Sequence, residues 1–216
     1  MLLAIDAAPK YQSIPPEMFT DPIRQRYLIW RERFTSRVDH TRMEYIDIAG
    51  QKVLDIGCNA GYFGWSNSAE IDSYVGIDND PTVIAAASAI SDSLDLTNLT
   101  WITSDVSRFF ESDTDEYDVC LFFSVYHHLL YGLGITAAED LLRVISARCR
   151  TMYFDMGQVD EPTNPARKAW HSLLPNRPPA EYIRQLVLDN SDYSRAEIVG
   201  ETPIGNSKRL LFRFDR

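Results

Sequence analysis

The sequence has no long apolar run and few cysteines. None of its hydrophobic stretches approaches the roughly 18 residues that a membrane-spanning helix needs, so we expect no membrane insertion. The opening MLLAIDAAP has no basic start and is a poor secretory signal. The three cysteines, Cys58, Cys120 and Cys149, are too widely spaced for a zinc site or a disulfide framework. We therefore expect no metal site and a cytoplasmic location.

Positive charge is also scarce. The formal net charge is −10, and an acidic surface repels the phosphate backbone that dominates nucleic-acid affinity. One segment departs from this average and carries six arginines: Arg24, Arg26, Arg31, Arg33, Arg37 and Arg42. Such a segment is typical of a solvated helix. It equally fits a local anion site, because guanidinium groups bind carboxylate or phosphate in a bidentate manner.

From Gln51 onward, short β-branched runs alternate with helical patterns, as in a succession of βαβ units. Seven strands are predicted: Val53–Ile56, Tyr74–Ile77, Thr100–Thr103, Val119–Phe123, Met152–Asp155, Ala196–Val199 and Arg209–Phe214. Helices are predicted at Tyr62–Ser68, Pro81–Ser91, Ala137–Arg148 and Pro179–Asn190. Residues 1–50, rich in aromatic residues and arginine, are expected to form a helical N-terminal cover over a single domain at residues 51–216.

The character of the strands predicts the sheet. The first four are nearly continuous apolar runs, as in parallel strands covered by helices on both faces. Only Glu201–Ser207 separates the last two strands, and this is too short for a parallel crossover. We therefore predict an α/β fold with a doubly wound, mostly parallel sheet of seven strands that ends in an antiparallel hairpin.

The strongest local motif is VLDIGCNAGYF at residues 53–63. An apolar strand with the acid Asp55 leads into a turn containing Gly57 and Gly61, which allow a sharp turn and close approach of a ligand. The dinucleotide fingerprint needs glycine where Asn59 stands, and Asp55 would repel a pyrophosphate. A ligand with ammonium and sulfonium groups fits this acid better. The alternative is a turn with a purely structural role.

Two further strands end in acids. Asp78, followed by Asn79, can accept hydrogen bonds from both hydroxyls of a ribose, while Asp80 before Pro81 is expected to cap the next helix. Asp105 could accept the amino group of an adenine, with the next backbone N–H, that of Val106, meeting a ring nitrogen. Asp105 could equally cap a helical turn. Ligands bind at the edge of an open α/β sheet where such strands end.

These motifs together, VLDIGCNAGYFG, YVGIDND, ITSDV and YDVCLFFSVYHHL, resemble the class I methyltransferases that depend on S-adenosylmethionine. The resemblance spans residues 51–156 and implies a Rossmann-like catalytic domain with S-adenosylmethionine as its cofactor. It implies the following cofactor-binding residues: Asp55, Gly57, Asn59, Gly61, Asp78, Asn79, Asp105, Val106 and Phe123.

A narrower resemblance concerns other segments. Tyr11-Gln12, the arginine-rich segment, FFSVYHHLLYG and NSKRLLFRF are similar to bacterial methyltransferases that cap polysaccharide chains. In these enzymes a tyrosine and an arginine of the N-terminal cover reach the cofactor. The resemblance implies these roles for Tyr11 and Arg31, with Arg33 or Arg26 as alternatives to Arg31. Some enzymes that modify the wobble uridine of transfer RNA share a similar core.

Methyl transfer to a hydroxyl requires alignment of the acceptor and removal of its proton. His127 and His128 follow the fourth strand, and either could act as the base because histidine titrates near neutrality. The alternative is that both residues line or support the pocket. Asp155, at the end of the fifth strand, could orient a histidine, bind an acceptor hydroxyl or stabilise its loop.

The favoured function is O-methylation of a small or carbohydrate-like acceptor, which the arginines allow to be anionic. One alternative is a methyltransferase that modifies transfer RNA, although the acidic charge makes a nucleic-acid partner less favourable. Another is a regulatory subunit that binds the cofactor without turnover.

Overall fold

The computed structural model describes residues 38–161, 169–204 and 207–216. The chain divides into two compact units, Met1–Phe109 and Phe110–Arg216. Most of the predicted N-terminal cover, including Tyr11 and Arg31, lies outside the described residues, and the boundary at residue 50 stays a prediction. None of the helices within the described ranges combines the length and apolar character that crossing a bilayer requires.

In the first unit, strands and helices alternate along the chain as predicted. α3 begins at Pro81, and the side chain of Asp80 accepts the Thr82 N–H at 2.8 Å. The predicted cap is thus confirmed. The elements are α1 (Val38–Met43), β1 (Lys52–Ile56), α2 (Tyr62–Ser66), β2 (Ser73–Asp78), α3 (Pro81–Ser93), β3 (Leu99–Thr103) and the beginning of α4 (Val106–Ser112).

Within its described residues, the second unit contains two helices that the sequence did not predict: α5 (Tyr126–Leu133) and a 3₁₀ helix (Ala169–Leu173). α5 follows β4 (Tyr117–Phe123) and buries Tyr126, His127 and Leu130, so tertiary packing stabilises this short helix. The other elements are α6 (Ile135–Arg148), β5 (Cys149–Asp155), α7 (Pro179–Asp189), β6 (Arg195–Ile204) and β7 (Ser207–Asp215).

The seven strands form one sheet in the order β3-β2-β1-β4-β5-β7-β6. β2 is parallel to β1 and to β3, and β4 is parallel to β5. β7 is antiparallel to both of its neighbours. Of the parallel strands, β1, β4 and β5 are buried on both faces, as expected for strands covered by helices. Their fully buried residues include Val53, Leu54, Phe122 and Phe154. The predicted fold class is confirmed.

The terminal hairpin is longer than predicted. Residues 201–207 were expected to connect the two strands, but β6 continues to Ile204, which pairs with Ser207. Pro203 lies within β6 opposite Lys208, a position that proline tolerates because β6 is at the edge of the sheet. The polar and proline residues of this segment suggested a loop, and cross-strand pairing overrides that local preference.

Candidate active site

The turn between β1 and α2 is built from residues in left-handed backbone conformations. Gly57, Asn59 and Gly61 have φ angles of 75°, 51° and 86°. Glycine adopts this conformation without a Cβ clash, and asparagine tolerates it better than most residues. The N–H groups of Gly57 and Cys58 donate to the carbonyl of Ile77 on β2, at 2.8 and 3.0 Å. The turn is therefore tied to the neighbouring strand.

Asp78, at the end of β2, also connects this turn to β2 by hydrogen bonds. Its Oδ2 accepts the backbone N–H of Asn59, and its Oδ1 accepts that of Asp80, both at 3.0 Å. The carboxylate is partly buried, and this burial raises its pKa despite the backbone hydrogen bonds. Asn79 is exposed at the same strand end. Asp78 thus supports the turn structurally, and its predicted contact with a ribose stays a prediction.

Asp55 lies in β1 with its carboxylate buried. The Tyr74 hydroxyl donates a hydrogen bond to Oδ2. Burial raises the pKa of Asp55 to about 7, opposed chiefly by this hydrogen bond. Asp39 and Asp78 raise the pKa further, and Arg42 lowers it. Because this pKa lies near neutrality, the charge of Asp55 depends on pH in the physiological range.

Charged side chains of the described residues act on Asp55. Arg42 on α1 forms a 2.8 Å ion pair with Asp39, and both residues are buried. A solvated helix is therefore the wrong interpretation for Arg42, the only one of the six arginines that is described. Within residues 38–161, the carboxyl groups of Asp39 and Asp78 raise the pKa of Asp55, and the guanidinium group of Arg42 lowers it. These carboxyl groups favour a ligand that carries positive charge.

Trp101 on β3 is a residue of this region that the sequence did not single out. A Cβ added at Gly61, Gly64 or Gly76 would lie 2.3, 2.9 or 2.6 Å from an atom of its indole ring. The indole N–H donates to the hydroxyl of Ser91 at 2.8 Å. The absence of a side chain at Gly61 thus serves the packing of Trp101 as well as the sharp turn.

Asp105 caps α4. Its Oδ1 accepts the backbone N–H of Arg108 at 2.9 Å, while Val106 at the start of the helix is buried. The capping role that the sequence left open is therefore present. The side chain of Asp105 is exposed, so the cap leaves it accessible to a ligand, and its contact with an adenine stays a prediction.

In the second unit, Ser124 follows β4 with a left-handed φ of 60°, which is uncommon for serine. Its N–H and hydroxyl donate to Asp155 Oδ1 at 2.9 and 3.1 Å. Asp155 is fully buried. Phe123, the last residue of β4 and the neighbour of Ser124 in the chain, is 7% exposed. Of the roles predicted for Asp155, this geometry favours the stabilisation of the loop.

A buried ion pair lies next to Ser124. Arg209 on β7 donates through Nε and Nη2 to both carboxylate oxygens of Glu161, at 2.6 and 3.1 Å. Its Nη1 donates to the Ser124 hydroxyl at 2.8 Å. Glu161 also accepts the backbone N–H of Gln158 at 2.8 Å. In the sequence, Arg209 stood out only as part of a predicted strand and of the motif NSKRLLFRF, and neither indicated a role for it.

His127 is buried in α5. Its Nδ1 accepts the backbone N–H of Gly157 at 2.9 Å, so a neutral His127 carries its proton on Nε2. Its ring lies 4.5 Å from that of Trp170, which covers Gly157 so closely that a Cβ there would lie 2.2 Å from the indole. These contacts favour the supporting role for His127.

His128 is exposed, and its ring centroid lies 4.3 Å from that of His127. Partial desolvation of the ring lowers the pKa of His128, and the positive charge of Arg209 lowers it further. At pH 7 the imidazole is therefore mostly neutral, the form that accepts a proton. Across the described ranges, no group of three or more His, Cys, Asp or Glu side chains could hold a metal ion.

Comparison with known proteins agrees with this architecture. Residues 54–151 match a family described as a methyltransferase domain. A structure of the bifunctional kinase-methyltransferase WbdD aligns with a TM-score of 0.71 and 18% identity, over 100% of this chain and 46% of WbdD. This chain thus spans less than half the length of the WbdD chains that it matches. No curated protein matches it significantly in sequence.

Two shorter neighbours share the fold. The N-methyltransferase NodS from Bradyrhizobium japonicum WM9 aligns with a TM-score of 0.58 and 17% identity, over 86% of this chain and 95% of NodS. The N-terminal domain of EvdMO1 with SAH bound aligns with a TM-score of 0.60 and 14% identity, over 84% of this chain and 81% of that domain. Residues 54–151 thus resemble a methyltransferase domain, and the chain has the Rossmann-like fold of methyltransferases that its motifs predicted.

Proposed function

We propose that this chain is a methyltransferase that uses S-adenosylmethionine, which supplies an electrophilic methyl group on a sulfonium centre when it is bound. The observation that carries the proposal is the acidic environment of the glycine turn. Among the described residues, the carboxyl groups of Asp39 and Asp78 act on Asp55, and the charge of Arg42 opposes them. A cofactor with an ammonium and a sulfonium group fits this field, whereas a pyrophosphate would be repelled. The likeness to a domain with SAH bound supports the proposal.

Within the first unit, each candidate residue would have a distinct task. Asp78 would bind the ribose hydroxyls, and Asp105 with the N–H of Val106 would bind the adenine. Asp55 would face the positive charge of the methionine portion, because charge-assisted hydrogen bonds are the stronger ones. Asp78 and Asp105 are already fixed by backbone hydrogen bonds, so they would bind a ligand with little loss of side-chain freedom.

For the acceptor, we propose O-methylation of a small or carbohydrate-like molecule, with His128 as the general base. His128 is exposed and largely neutral at pH 7, whereas His127 is buried and uses Nδ1 to accept the Gly157 N–H. The resemblance of NSKRLLFRF and FFSVYHHLLYG to polysaccharide-capping methyltransferases supports a saccharide. If the acceptor is an anion, no proton need be removed and no base is required.

Transfer RNA is a second candidate acceptor, which the net charge of −10 disfavours. A subunit that binds the cofactor without turnover is a third possibility. Incubation with methyl-labelled cofactor and cell extract separates these alternatives. Label in saccharides or other small molecules supports the proposal, label in RNA supports the second candidate, and no transfer supports the third.

Cofactor identity is tested by calorimetry with S-adenosylmethionine, S-adenosylhomocysteine and NAD. We expect both methionine-derived ligands to bind and NAD to give no signal. Binding of NAD alone would overturn the assignment of the cofactor. A panel of neutral and phosphorylated saccharides with labelled cofactor would then define the acceptor.

A further inference from the structure

Tyr74 shares a face of the sheet with Asp55. β1 and β2 are parallel, with Val53 opposite Tyr74 and Asp55 opposite Gly76. Opposed residues of adjacent strands point to the same face, and so do residues two apart along one strand. Tyr74 therefore lies on the same face as Gly76, the residue opposite Asp55, and two residues before it in β2. Because Gly76 has no side chain there, the Tyr74 hydroxyl can reach the Asp55 carboxylate.

The ring of Tyr74 packs against an aromatic side chain and against the backbone of a helix. Its centroid lies 5.3 Å from that of Trp101, whose indole covers Gly76. A Cβ on Gly64 would lie 2.9 Å from Cε1 of Tyr74, so the backbone of α2 packs directly against the ring. Tyr74 is only 1% exposed. The hydroxyl is therefore fixed in place by packing and does not depend on Asp55 for its position.

The hydroxyl also has a defined electrostatic effect. Burial and neighbouring acidic groups raise the pKa of Tyr74 well above its ordinary value, so it keeps its proton and donates. Among the groups that act on Asp55, it is the strongest of those that favour the ionised form. Arg42 acts in the same sense more weakly, and Asp39 and Asp78 oppose both.

We propose that Tyr74 is a positioning residue of the cofactor site, whose buried hydroxyl orients the Asp55 carboxylate toward the cationic methionine portion of the cofactor. The inference rests on the proposed use of S-adenosylmethionine. Trp101 contributes by packing its indole, which fills a slot lined by Gly61, Gly64 and Gly76, against the ring of Tyr74. None of these contacts requires Tyr74 to touch the cofactor itself.

The test is Tyr74→Phe, which removes the hydroxyl and keeps the ring. Binding of S-adenosylmethionine and S-adenosylhomocysteine is measured by calorimetry between pH 6 and pH 9. Loss of a hydrogen bond to a charged group predicts affinity about 10- to 100-fold lower at pH 7. In the wild type, affinity should rise with pH until Asp55 is ionised. The midpoint of that rise should move to higher pH in the variant, which a purely structural tyrosine would not cause.

Tyr193→Phe is the matched control, because this buried hydroxyl donates to the Cys149 carbonyl at 3.1 Å in the second unit. It should lose stability without a change in affinity or midpoint. Asp55→Asn and the double variant Tyr74→Phe with Asp55→Asn complete a double-mutant cycle. In the Asp55→Asn background, Tyr74→Phe should change the affinity little. If Tyr74→Phe keeps the wild-type affinity for both ligands and the wild-type midpoint of the pH dependence, this inference is overturned. The proposed cofactor would still stand in that case.

If the wild type binds neither ligand, the proposed cofactor fails, and this inference fails with it. Should Tyr74→Phe not fold, Trp101→Phe provides a second route, because it loosens the slot and keeps the hydroxyl. We then expect a smaller loss of affinity, about threefold to tenfold, with an upward shift of the midpoint. Trp101→Phe with wild-type affinity and midpoint would contradict the inference.

Discussion

Arg209 on β7 donates through Nη1 to the hydroxyl of Ser124, 85 residues earlier in the chain, at 2.8 Å. The same guanidinium group forms a two-pronged ion pair with Glu161. One residue thus joins the last strand to the end of β4 and to the segment after β5. Ser124 has a left-handed φ, and Arg209 and Asp155 together hold it in that conformation.

The buried ion pair predicts a large loss of stability for Arg209→Met. Removing Arg209 takes a hydrogen-bonded, oppositely charged group from the buried Glu161 carboxylate, and breaking such a pair typically costs about 3–5 kcal/mol. Glu161→Gln in the same chain should restore part of this loss, because the neutral amide is less costly to bury than the carboxylate. Chemical denaturation measures both variants.

The neighbouring pair Lys208–Glu201 is the control, because its side chains are 70% and 48% exposed. Lys208→Met should cost at most about 1 kcal/mol. Equal losses for Arg209→Met and Lys208→Met would contradict the importance of the buried pair.

Asp55 predicts that stability depends on pH. Its pKa is about 7 in the folded chain against an ordinary value of 3.8, so the folded state binds the proton more tightly. The stability that this group contributes is present below pH 4 and is lost as pH rises through 7. The loss amounts to at most about 4 kcal/mol, since one pKa unit corresponds to about 1.4 kcal/mol.

Asp55→Asn should remove that part of the pH dependence and make the chain more stable than the wild type at pH 8. Thermal melting at pH 5 and pH 8 measures the effect. Asp118→Asn is a suitable control, because Asp118 pairs with Arg150 at a solvent-accessible site. If the stability of Asp55→Asn depends on pH as steeply as that of the wild type, Asp55 is not the titrating group.

Asp78→Ala is expected to change both binding and stability. Affinity for S-adenosylhomocysteine should fall by about 1.5–3 kcal/mol if the carboxylate binds the ribose. The carboxylate also accepts the N–H groups of Asn59 and Asp80, so we expect some destabilisation of the fold as well.

The comparison is Asp80→Ala, which removes only the cap of α3 and should cost about 1 kcal/mol of stability. Its affinity should match that of the wild type. Calorimetry and melting of both variants separate the two roles. A destabilised Asp78→Ala chain with unchanged affinity would make Asp78 a structural residue.

The two histidines should respond differently. If the acceptor is a hydroxyl, His128→Ala should lower kcat by about 10²–10⁴ without weakening cofactor binding. The wild-type rate should rise with pH through a pKa below the ordinary histidine value of 6.5. His127→Ala should mainly lower stability, because it removes the acceptor of the Gly157 N–H.

Rate and melting measurements of both variants test this assignment. A lower kcat in His127→Ala, with wild-type activity in His128→Ala, would reverse the roles of the two histidines. Full activity in both, with a pH-independent rate, would exclude a histidine base and favour an anionic acceptor.

The sequence alone was sufficient for features that depend on neighbouring residues. The cap at Asp80, the sharp turn through Gly57 and Gly61 and the seven strands follow from local conformational preferences and from periodicity. The antiparallel direction of the last two strands followed from the short link between them, and the parallel direction of the first four followed from their apolar character. These signals predicted the fold correctly and indicated a methyltransferase domain.

Only the tertiary structure decided how distant side chains share the interior. Tyr74 meets Asp55 across 19 residues, and Ser124 meets Asp155 across 31. Nothing local distinguishes Arg209 from an exposed strand arginine, yet it is buried because Glu161 reaches it. Burial and charge pairing depend on which strands are neighbours in the sheet. The ionisation of Asp55 and the restraint on Ser124 are therefore properties of the folded chain, since no short segment contains both partners.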